Sequence, residues 1–118
     1  MLEHLNEVLS GIINYELGLW NRDIVFPYWV GEFQEIEYSS ESGKTEYSFQ
    51  LVGTSRNNLA KLLEDKEKIQ RLFSYYSATL ENGHTLAIYY DNAMMIPSQD
   101  AQIRRLQINL TIMEWRNY

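Results

Sequence analysis

From Arg105 to Trp115 the sequence alternates with a period of two. Leu106, Ile108, Leu110 and Ile112 fall on one side, and Arg105, Gln107, Asn109, Thr111, Met113 and Trp115 on the other. Alternation held over this length marks an extended strand with one face in a core. The opposite face carries hydrogen-bonding groups and two large apolar side chains, a composition suited to meeting a partner. Ahead of this strand, Asp91–Asp100 (DNAMMIPSQD) reads as an irregular loop rich in Met and Pro.

The rest of the chain supplies what such a strand must pack with. Leu2, Leu5, Val8, Leu9, Ile12 and Ile13 recur at helical spacing, giving a first amphipathic helix that Gly11 and Gly18 weaken and that frays before Trp20. Phe26-Pro27 ends the helical region, because the residue before a proline is driven to extended geometry. Tyr28–Tyr38 is predicted as a strand in which Gly31 marks a bulge or a close approach. SSESGK (Ser39–Lys44) is a turn, and TEYSFQLVG (Thr45–Gly53) alternates again, so the two segments form a hairpin. Thr54, Ser55 and Asn57 are candidate N-caps for a second helix whose apolar stripe is Leu59, Leu62, Leu63, Ile69, Leu72, Phe73 and Tyr76. After the Asn82-Gly83 turn, Thr85–Tyr90 is a short strand, and the alternating strand closes the chain. The expected order is α-β-β-α-β-β: a single α+β domain over residues 1–118, with a four-stranded, mainly antiparallel sheet and two helices packed on one face. Such a fold leaves the other sheet face uncovered, and an apolar patch there implies association.

Composition removes several function classes. An apolar fraction of 45% excludes whole-chain disorder. The absence of cysteine excludes a disulfide framework, a thiolate nucleophile and a Cys-based metal site. Glu3 and Glu7 stand where a signal peptide needs basic residues, and no apolar run approaches the roughly 20 residues that span a bilayer, so the expectation is a cytoplasmic protein without a membrane partner. The net charge of −6 argues against an open DNA-binding groove. Its distribution is uneven: residues 1–50 hold nine acids against Arg22 and Lys44, whereas residues 51–118 hold seven acids against eight bases. Surfaces of that kind suit head-to-tail docking of one copy on another, acidic patch to basic patch, and equally suit two halves of an ordinary solvated surface.

No catalytic constellation is present. His4 and His84 are the only histidines and lack metal-ligand spacing, so solvated histidines are the expectation and no metal or cofactor is implied. Glu32, Glu35 and Glu37 crowd one strand, and Asp91 and Asp100 flank the late loop, but paired carboxylates act as acid and base only where burial splits their pKa values. The serines at 39, 40, 42, 55 and 98 sit in turns without a nucleophile elbow, and GTSRNN lacks the pattern of a phosphate loop. The residues left for function are contact residues: Arg104, Arg105, Gln107, Met113, Trp115, Met94, Met95, Glu32 and Glu35 are the candidate oligomer and partner interface. Exposed methionines form an adaptable contact surface.

With these residues in view, the chain resembles the tail terminator, or head–tail joining and tail-completion, proteins of long-tailed phages and prophages of Gram-positive bacteria. The resemblance rests on PYWVGEFQE (Pro27–Glu35), FQLVGTSRNN (Phe49–Asn58), LEDKEKIQRLF (Leu63–Phe73) and MIPSQDAQIRRLQINLTIMEWR (Met95–Arg116), together with the element order. It implies a non-enzymatic structural protein. Such proteins form a ring, commonly six-fold, on the head-proximal end of the tail tube, and present the surface to which the head docks. The implied partners are further copies of the chain, tail-tube and head-connector proteins, with DNA only passing through the lumen. The implied location is the host cytoplasm during assembly and then the virion. Other readings are a different neck or tail component, such as a head-completion protein or tube subunit, and a small ligand-binding or regulatory module using the aromatic-rich sheet face.

Overall fold

The computed structural model describes residues 1–39 and 43–116. Of the turn expected at Ser39–Lys44, residues 40–42 lie outside the described residues. The elements are α1 (Leu2–Ser10), β1 (Tyr15–Leu17), β2 (Tyr28–Ser39), β3 (Lys44–Arg56), α2 (Leu59–Leu72), β4 (Tyr76–Thr79), β5 (Thr85–Ile96) and β6 (Ile103–Trp115).

Six strands, not four, form one sheet in the order β1-β2-β3-β6-β5-β4, and the sheet is mixed because β1 runs parallel to β2. The expected four-stranded α-β-β-α-β-β arrangement is therefore wrong, although the fold remains α+β. Both additional strands are short and sit at the sheet margins. β1 was hidden because Ile12 and Ile13 extend the helical spacing past Ser10, where α1 stops with Gly11 as its cap. β4 was hidden because Tyr76 continues the apolar stripe of α2, which stops at Leu72. Tyr76 pairs instead with Ile88 of β5.

The centre of the sheet follows from alternation. β3 and β6 pair antiparallel along their full lengths, Lys44 opposite Trp115 and Arg56 opposite Ile103. Leu106, Ile108, Leu110 and Ile112 are all nearly or wholly inaccessible, beside Phe49 and Leu51 of β3 and Leu86 and Ile88 of β5. Leu5 and Leu9 of α1 and Leu62 and Ile69 of α2 join the same cluster. Trp29 is fully buried there, and its indole Nε1 donates to the Asp65 carboxylate of α2 at 3.1 Å. That bond satisfies both the indole N–H and a carboxylate that is itself 5% exposed.

Gly31 is a close approach rather than a bulge: a Cβ there would meet Phe49 and Tyr15 ring carbons at 2.5 and 2.8 Å. The bulge of β2 lies further on, between Glu35 and Glu37. Asn58, rather than Thr54, Ser55 or Asn57, caps α2, its side chain accepting from the Lys61 backbone N–H at 3.0 Å. Ser55 supports the cap by donating to the Asn58 carbonyl.

Candidate functional site

Two faces and two edges are what this sheet offers. On the face away from the core, the strand register places Val30, Val52, Gln107 and Met94 in one row across β2, β3, β6 and β5. The next row is Glu32, Gln50, Asn109 and Asn92. Beyond it come Thr111, Met113 and Trp115, all half-buried. Polar groups along this face bond to one another. Gln107 Nε2 donates to Asn109 Oδ1 at 2.9 Å, and Asn109 Nδ2 to Asn92 Oδ1 at 2.6 Å. Thr111 Oγ1 donates to Asp91 Oδ2 at 2.5 Å. A bulge in β5 between Tyr90 and Asn92 brings Asp91 and Asn92 together on this side.

β5 changes the reading of the methionine segment. The loop expected over Asp91–Asp100 is strand as far as Ile96, so Met94 and Met95 are held on a rigid element and point to opposite faces. Alternation was lost on this segment because the bulge interrupts the period of two.

The nine candidate contact residues divide accordingly. Arg105, Gln107, Met113, Trp115, Met94 and Glu32 fall on the uncovered face, while Arg104, Met95 and Glu35 fall on the helix side, beyond the helices. Glu32, Glu35, Arg104 and Arg105 are exposed, and among the described residues none of the four has a salt-bridge partner.

One concave region is a groove of about 680 Å³ between the end of α1, residues 20–27 and α2. Arg22, Lys61, Lys68 and Asp65 line it, but Asp65 is already committed to Trp29. A smaller depression of about 300 Å³ lies on the uncovered face, walled by Leu19, Trp20, Tyr28, Val30, Val52 and Arg105. Trp20 packs against Tyr28 at 4.9 Å between ring centroids, with the Arg22 guanidinium 4.7 Å over its ring. Neither region brings a nucleophile to a base. Among the described residues no three His, Cys, Asp or Glu side chains are grouped to hold a metal ion.

Both histidines have partners, against the expectation of solvated ones. His84 Nδ1 lies 3.0 Å from Glu114 Oε2, and Tyr47 Oη donates to the other Glu114 oxygen at 3.3 Å. Burial, and after it the Glu114 charge, hold the Tyr47 phenol above its ordinary pKa. His4 Nε2 lies 2.5 Å from Tyr76 Oη. These contacts join elements distant in sequence, which periodicity does not reveal.

No protein-family model matches the chain, and no curated protein matches it. Among the described residues, no helix is long and apolar enough to cross a membrane.

Proposed function

We propose that this chain is a structural assembly protein that associates with copies of itself, and that its place is a ring at the head-proximal end of a phage or prophage tail tube, as a tail terminator or tail-completion protein. The observation that carries the self-association is a six-stranded sheet roofed by helices on one side only. Apolar and amide side chains on its other side are left half-exposed in a single copy. Large exposed apolar residues (Phe33, Ile36, Tyr89, Met94 and Met95) lie along its outer strands. The tail assignment rests on the sequence resemblance alone. A net charge of −6 suits a channel through which DNA must slide without being gripped.

Size-exclusion chromatography with light scattering tests the first part. The expected result is a closed multiple of the 14.0 kDa chain that persists on dilution. A strict monomer, both alone at high concentration and on mixing with tail tubes, overturns it. Genes encoding tube and head-connector proteins on either side would support the tail terminator over another neck or tube component.

A further inference from the structure

The marginal strands leave both long edges of the sheet half open, at opposite corners. β1 covers β2 only at Trp29–Gly31, and β4 covers β5 only at Thr85–Ile88. The outer sides of β2 from Glu32 onward and of β5 from Asp91 onward carry no backbone hydrogen bond among the described residues. An open edge is a template for another strand. Of the devices that keep an edge single, Lys and Pro are absent from residues 32–39 and 89–96, while each segment carries one β-bulge.

We propose that the copies join edge to edge, with the open half of β2 in one protomer adding to the open half of β5 in the next, so that one sheet runs through the assembly. This rests on the self-association proposed above and adds an edge contact to it. Three observations choose this pairing. First, strand direction: β2, β3, β6 and β5 alternate in direction, so a second copy in the same orientation presents β5 antiparallel to β2. Antiparallel pairing is the slightly more stable mode per residue. Second, charge: the β2 edge carries the exposed Glu32 and Glu35, without a salt bridge among the described residues, whereas the open half of β5 carries one acid, Asp91, already bonded to Thr111, and ends at a depression that holds Arg104 and Asp100. A β2–β2 contact would set carboxylates against carboxylates, and a β2–β5 contact brings Glu35 toward the Arg104 guanidinium on the helix side. Third, apolar flanks: Phe33 and Ile36 on one edge and Tyr89, Met94 and Met95 on the other are 44–58% exposed, and adding a strand brings them together across the seam.

The absence of native cysteine allows a direct test. Gln34→Cys and Met94→Cys variants are prepared separately, mixed and treated with a short bis-maleimide. The expected product is a covalent dimer in the mixture and little in either variant alone. In parallel, Glu35→Arg and Arg104→Glu are each expected to weaken association by roughly tenfold, and the double variant to restore it. An assembly that persists without the mixed cross-link, or Met94→Cys linking to itself, overturns the edge pairing while leaving self-association standing. A failed rescue by the double variant counts against the pairing in the same way. A wild-type protein that stays monomeric with and without tail tubes removes both proposals together.

Discussion

The Asp65 carboxylate, the Trp29 indole and the Gly53 backbone form one packed unit. A Cβ at Gly53 would meet three Trp29 ring atoms at 2.7 Å, so the ring lies flat on the strand backbone and its N–H is left pointing at Asp65. Asp65→Ala should strand a buried indole N–H and cost about 1–3 kcal/mol in urea unfolding. Gly53→Ala should cost a similar amount, about 1–3 kcal/mol, by forcing the ring out of its place. If the two changes act through Trp29, their costs combine non-additively in the double variant. Burial is the largest cause holding Tyr15, Tyr47, Tyr76 and Tyr90 above the ordinary 10.0. The folded state thus favours their protonated phenols, a contribution fully present below pH 10 and lost as pH climbs through the folded values. A phenolate absorbance titration of the folded protein should show these groups ionising later than free phenols; four ordinary phenol titrations would contradict it.

Among elements, β6 is the one the sequence describes best, because it is central. Pairing on both sides and helices over one face force strict alternation, and burial follows it without exception from Leu106 to Ile112. Ile108→Ala should accordingly cost about 2–5 kcal/mol in chemical denaturation. Arg105→Glu, on the opposite face, should leave the unfolding midpoint nearly unchanged and lower self-association. Unfolding of the monomer by that substitution would contradict the face assignment. Elements at the margin are less legible. β1 has three residues, too few to display a period, and β4 begins within a stripe that α2 had established. The two bulges shift the phase of β2 and β5, so Met94 and Met95 read as loop residues. Contacts such as His84 with Glu114, 30 residues apart, depend on sheet order and leave no local trace. The candidate contact residues were chosen by type, and their division between faces and edges required the register.

At the scale of the molecule, charge and shape act together. The protein extends 51 Å along its longest axis and about half that in both other directions, a rod rather than a ball. Its first half is acidic and its second near neutral, so an assembly held partly by attraction between charges should loosen as salt rises toward 1 M, where screening acts within about 3 Å. Light scattering across a salt series would register this, and indifference to salt would assign the association to apolar contact alone. The short marginal strands have a geometric effect as well. Because they occupy diagonal corners, a copy joined at the remaining gap sits displaced lengthwise relative to its neighbour, like staves set in a staircase. A closed hoop cannot climb, so each step is taken up as slant of the staves against the hoop's axis, as shear is in any barrel. Slant unable to absorb the step would yield a lock-washer, open at one seam and ready to spiral onward. Two strands of three and four residues would thus separate a lid from a filament.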